Sequence, residues 1–134
     1  WISSQKLNFG GVGGLTLGAD PIVMAVSRGA LDAGIVIPAS MIRKEPKKHG
    51  TSRFIEGVEN FVAGTNFLVV EDVVTTGASA IKAIEILKNE GFKVSHILTI
   101  VDREAGGTEA FKKLGVEFHS FFTISEIRKR FSER

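Results

Sequence analysis

Short apolar runs alternate along the chain with stretches in which hydrophobic residues recur every three to four positions, the pattern of buried strands and amphipathic helices taken in turn. Residues 9–14 are glycine-rich and predict a strand end and turn. The spacing of Ile22, Val23, Val26 and Ala30 then predicts a helix over residues 19–31, closed by Gly34. Residues 35–42 are an almost unbroken apolar run of strand length, of the kind covered by helices on both faces. Residues 54–61 read as a short strand or hairpin arm, and residues 67–70 with Val73 and Val74 as another buried strand.

A helix is predicted over residues 78–90. Ile81, Ile84 and Leu87 share one face with Ala80 and Ala83 beside them, Lys82, Glu85 and Lys88 point outward, and Gly91 supplies a left-handed cap. Residues 94–101 predict a strand, 108–114 a short helix closed by Gly115, and 116–122 a strand alternating at Val116, Phe118 and Ser120. Thr123 and Glu126 have capping-box spacing and Phe122 with Ile127 that of a hydrophobic staple, so the last helix should run from Ile124 to Phe131. Strands separated by helices need crossover connections, which give a parallel sheet with helices on both faces and ligands at the C-terminal strand ends.

Composition narrows the function classes. With 134 residues, 43% hydrophobic and 24% charged, the chain has the size and balance of one globular α/β domain. The net charge of +2 is too small for a surface that coats nucleic acid. Cysteine is absent, which removes disulfide frameworks, thiolate metal sites and thiol nucleophiles and points to the cytoplasm. No apolar run is long enough to span a bilayer, so no membrane partner is expected. The chain begins at Trp1 with residues that already read as the approach to a strand, so upstream sequence is expected to be missing.

Candidate chemistry centres on FLVVEDVVTTGAS, residues 67–79, where a buried strand leads through two acids into a Thr-Thr-Gly turn and a helix. That turn presents backbone N–H groups and hydroxyls at a helix N-terminus, where the macrodipole favours a phosphate. Glu71 and Asp72 would repel the phosphate but can accept hydrogen bonds from the hydroxyls of a sugar attached to it, which suggests a ribose phosphate. The plain alternative, a capped helix after a surface turn, leaves the adjacent acids without a purpose. Residues 43–53 hold five Lys or Arg, one His and one acid with Pro46 and Gly50, and read as a mobile basic loop; a solvated charge run is the alternative. His96, His119 and the cluster Phe118, Phe121 and Phe122 read as structural, the phenylalanines as core or subunit interface.

Residues 67–79 resemble the phosphoribosyl-pyrophosphate (PRPP) signature of type I phosphoribosyltransferases. RKEPKKHGT, residues 43–51, resembles the flexible catalytic loop of orotate phosphoribosyltransferases, with Lys48 where an acid is common. VDREAGG, residues 101–107, resembles the segment that carries their orotate-binding arginine, and Arg103 takes that position. GGLTLGADPI, residues 13–22, occupies the place of the pyrophosphate loop, with Gly18 where several members have lysine.

The resemblance implies a Rossmann-like type I phosphoribosyltransferase fold over residues 1–134 as a single domain, lacking the N-terminal hood usual in the family, with a flexible loop at 43–53. The implied reaction makes orotidine 5′-monophosphate and pyrophosphate from PRPP and orotate, a step of pyrimidine nucleotide synthesis. Lys47, His49, Asp72 and Glu71 would be catalytic. PRPP would be bound by Arg43, Lys44, Lys47, His49, Glu71, Asp72, Val73, Val74, Thr75, Thr76, Gly77, Ala78 and Ser79, and orotate by Thr75 and Arg103. The implied cofactor is Mg²⁺, held mainly by PRPP and water rather than by a protein cage. A homodimer is implied, with Lys44 reaching the partner's site. The alternatives are a purine phosphoribosyltransferase and a PRPP-binding regulator of the same fold.

Overall fold

The computed structural model describes residues 1–46 and 53–133. Strands β1 (Gly11–Leu15), β2 (Ala39–Ile42), β3 (Asn66–Val74), β4 (Lys93–Asp102) and β5 (Glu117–Thr123) pair in parallel in the order β2-β1-β3-β4-β5. Helices α1 (Asp20–Asp32), α2 (Ala78–Asn89), α3 (Gly107–Lys113) and α4 (Ile124–Ser132) alternate with them, as the hydrophobic rhythm predicts.

β3 lies in the middle of the sheet, and its side chains alternate between two cores. Phe67 and Val69 pack with Ala80, Ala83, Ile84 and Leu87 of α2 and Phe111 of α3, whereas Leu68 and Val70 pack with Val23 and Ala30 of α1 and Leu98 of β4. Four successive apolar residues are therefore buried to opposite sides, each worth about 1.5–3 kcal/mol. Gly91, at φ +84°, ends α2 as expected, with the Phe92 N–H donating to the Leu87 carbonyl at 3.0 Å.

Two predicted strands are corrected. The strand expected over residues 35–42 is only Ala39–Ile42, because Pro38 has no N–H to donate and β2 is an edge strand with one face open; Val36 is 73% exposed. Residues 54–61 give a single antiparallel bridge, Ile55 with Ile42, and then a 3-10 turn at Val58–Asn60 that follows Gly57 at φ +69°. In the other direction, the glycine-rich segment read as a strand end forms the full strand β1, paired on both sides.

The capping box forms as read: the Thr123 hydroxyl accepts the Glu126 N–H at 3.2 Å, and the Glu126 carboxylate accepts the Thr123 N–H at 2.7 Å. Thr123→Ala is expected to cost about 1 kcal/mol, a loss of about 3 °C in Tm by thermal melting. Phe118 packs against the core, while Phe121 and Phe122 are half-exposed. His119 stacks on Trp1, and His96 meets the edges of Trp1 and Phe9 with its Nδ1 against Ser95, which suits structural histidines. Among the described residues no helix is long and apolar enough to cross a membrane.

Candidate active site

The strand order creates the site. α1 carries the chain from β1 outward to β2, α2 carries it from β3 the other way to β4, and the segments leaving β1 and β3 part at the C-terminal edge of the sheet. A crevice opens where strand order reverses in this way, and ligands of parallel sheets bind there. Residues 16–19 form one lip and residues 75–77 the other. Close approach of the first lip depends on missing side chains. A Cβ on Gly14 would lie 2.5 Å from the Val70 carbonyl oxygen and 2.4 Å from Ala19 Cβ, and one on Gly18 would lie 2.6 Å from Asp72 Oδ2.

The second lip is a pocket of about 110 Å³ lined by Glu71 and residues 73–80. Gly77 is at φ +86°, a conformation that opens α2 directly after the turn, and a Cβ there would strike the Phe111 ring at 2.7 Å. α3 thus buttresses the turn from behind. Thr76, Ala78 and Ser79 are exposed at the N-terminus of α2, and Thr75 is half-buried. The arrangement offers an anion unpaired N–H groups, two hydroxyls and the positive end of the helix dipole.

The two acids lie inside β3 rather than beyond its end, because pairing with β4 continues as far as Val74 opposite Asp102. Thr99 Oγ1 fixes the strand there by donating to the carbonyls of Glu71 at 3.1 Å and Asp72 at 3.2 Å. Alternation then separates the pair. Glu71 is 6% exposed, whereas Asp72 is exposed, with its Oδ1 accepting the Val73 N–H at 2.8 Å. Burial pushes the Glu71 carboxyl up to about 7; hydrogen bonding with Asp72 and its like charge add to this, and Lys44 opposes it. Glu71 Oε2 is buried with no hydrogen-bond partner among the described residues.

The root of the basic loop is held on two sides. The Arg43 N–H donates to the Phe54 carbonyl at 2.7 Å and the Arg43 guanidinium pairs with Glu56, while Lys82 of α2 donates to the Lys44 carbonyl at 2.8 Å. Arg43 is thus engaged with Glu56, and Lys44 is exposed within electrostatic reach of Glu71. Lys47 and His49 lie outside the described residues. Arg103 follows β4 directly, its N–H donating to the Val74 carbonyl at 2.8 Å, so the arginine stands beside the strand end that carries Thr75. The structure therefore gathers Glu71, Asp72 and residues 73–79 and brings Arg103 alongside.

Sequence reasoning passed over Lys82, read only as an outward lysine, and Asp20, whose Oδ1 is buried and unpartnered among the described residues at the start of α1. An acid following a Gly-Ala loop was the available signal for Asp20. Among the described residues no three His, Cys, Asp or Glu side chains converge on a point.

A doubly wound parallel sheet with an open helix N-terminus and two acids at its switch point defines an α/β protein of the class that binds ligands at the carboxyl ends of its strands. The sequence model of the phosphoribosyl transferase domain matches residues 13–119, and the chain belongs to that family. Orotate phosphoribosyltransferase of Nostoc sp. is 48% identical over 122 residues, 91% of this chain and 59% of the relative. The Aquifex aeolicus protein of the same name is 44% identical over 123 residues, covering 92% of this chain and 66% of its own length. The chain thus spans about three fifths of the length of curated relatives such as the Nostoc and Synechocystis proteins. Among solved structures, Mycobacterium tuberculosis orotate phosphoribosyltransferase in complex with PRPP superposes with a TM-score of 0.77 at 36% identity, covering 92% of this chain and 68% of that one.

Proposed function

We propose that the chain acts as an orotate phosphoribosyltransferase, a step of pyrimidine nucleotide synthesis. The observation that carries this is the phosphate pocket at residues 73–80 joined to the buried Glu71 and exposed Asp72 at the β1/β3 switch point. The identity to named orotate phosphoribosyltransferases supports the choice of base.

In this reading residues 75–79 hold the 5′-phosphate, and Glu71 and Asp72 take the ribose hydroxyls. A ring nitrogen of orotate gives up its proton to solvent and bonds to the anomeric carbon as the carbon–oxygen bond to pyrophosphate breaks, and the electron pair leaves with the pyrophosphate. The two carboxyl groups meet the positive charge that develops on the sugar, and the cations of the 43–53 loop, Lys44, Lys47 and His49, supply charge to neutralise the leaving group. Arg103 offers a planar fork to the orotate carboxylate, with Thr75 lining the base. Mg²⁺ would neutralise the pyrophosphate, held mainly by PRPP and water oxygens. Residues 1–134 act as one domain, the protein works in the cytoplasm, and a homodimer lets Lys44 serve the neighbouring site.

The test is nucleotide formation from PRPP with Mg²⁺ and orotate, beside adenine, hypoxanthine and uracil. Turnover with orotate alone is expected, and turnover with a purine alone would replace this reading by the purine alternative. For the loop, Lys47→Ala is expected to lower kcat about a hundredfold. Near-wild-type turnover would remove the loop from the chemistry.

A further inference from the structure

Arg103 sits next to an acid, Glu104, whose backbone is in the left-handed region at φ +56°. A non-glycine residue rarely takes that conformation, and it persists only where surrounding contacts impose it. Both ends of Glu104 are held. Its N–H donates to Oδ1 of the buried Asp102 at 2.8 Å. Its carboxylate Oε2 accepts the Ser125 N–H at 3.0 Å and the Ser125 hydroxyl. Ser125 is the second residue of α4, so the carboxylate occupies the N-terminus of that helix, where N–H groups lack intrahelical partners and the dipole favours an anion.

The consequence falls on Arg103. Among the described residues its side chain is exposed and has no hydrogen-bond or ion-pair partner, although a carboxylate is attached to the very next residue. We propose that Glu104 is a positioning residue: its tether to α4 fixes the turn that presents Arg103, leaving the guanidinium open to a carboxylate ligand. The inference rests on the reading of Arg103 as the orotate anchor and adds to it the contact that sets that anchor's position.

The chemistry of the tether sets the test. Both bonds to Glu104 are donated to it, so a side-chain amide oxygen can accept them, whereas alanine cannot. Orotate and PRPP affinities are measured calorimetrically for wild type, Arg103→Ala, Glu104→Gln, Glu104→Ala and Glu104→Gly, the last because glycine takes the left-handed conformation freely. Glu104→Ala and Glu104→Gly are expected to weaken orotate about tenfold and Glu104→Gln less than twofold, with PRPP affinity within twofold throughout. Orotate binding lost in Arg103→Ala but unchanged in both Glu104→Ala and Glu104→Gly would overturn the positioning role alone. Orotate binding unchanged in Arg103→Ala would overturn the anchor reading, and the positioning role with it. Equal loss of orotate and PRPP affinity in Glu104→Ala and Glu104→Gly would mark a general structural defect and also overturn the proposal.

Discussion

Glu71→Gln is expected to lower turnover by about a hundred- to a thousandfold and, in the same protein, to raise the melting temperature at alkaline pH. The first effect follows, in the proposed reaction, from removing a carboxylate from beside the sugar carbon on which positive charge develops. The second follows from burial, since a carboxyl on a residue that is 6% exposed, with one oxygen unpartnered among the described residues, resists ionisation. Its pKa stands at about 7 in the folded chain against 4.5 for the ordinary group. A raised carboxyl pKa means that the folded state holds its proton more tightly than the unfolded state. Stability from this group is therefore complete below about 4.5 and declines as pH rises through about 7. A shift of this size corresponds to about 3 kcal/mol. Glutamine carries no such charge, so the variant should gain on wild type between about pH 5 and pH 8, by several degrees in Tm. Melting curves of both proteins across that range check it. Parallel pH profiles would show that Glu71 is ionised throughout.

Gly14→Ala is the second large effect, and it acts on the fold and the site together. The new methyl group would lie 2.5 Å from the Val70 carbonyl oxygen and 2.4 Å from Ala19 Cβ. Neither neighbour can rotate away. One is backbone in the central strand and the other begins the turn into α1, so β1 must move from β3 or the 16–19 lip must lift. A loss of about 3 kcal/mol is expected in chemical denaturation, with weaker PRPP binding in the fraction that remains folded. Unchanged stability would mean that the two lips of the crevice are not held by this contact.

The same glycines show where sequence reading stops. β1 was legible only as a strand end because glycine ordinarily weakens a strand. Here the reason for glycine is contact with partners distant in sequence: a Cβ on Gly11 would strike the rings of Phe61 and Phe67, and one on Gly14 would strike β3. By contrast, α2, β4 and α4 were readable nearly to the residue, since their signals are local: helical spacing, a run of β-branched residues, Gly91, and the Thr123 and Glu126 pair. Strand order is not a local property, so the partition of β1 and β3 about the switch point had to come from the structure.

The site divides in the same way. Residues 71–79 are contiguous, so their candidacy could be read from the string of letters. That Glu71 is buried while Asp72 is exposed depends on which face of β3 each takes and on what covers it. The tether from Glu104 to Ser125 joins segments 21 residues apart and had no sequence signal beyond an acid after an arginine.

The central claim is that the β1/β3 crevice binds PRPP through the turn at residues 75–79. Calorimetric titration of PRPP with Mg²⁺, repeated with ribose 5-phosphate and with ribose, tests it most directly. The expected result is one PRPP per chain, displaced by ribose 5-phosphate but not by ribose, and abolished by Gly77→Val, whose side chain would be forced into Phe111. Absence of PRPP binding to the folded wild-type chain, or binding that survives in folded Gly77→Val, would contradict the account.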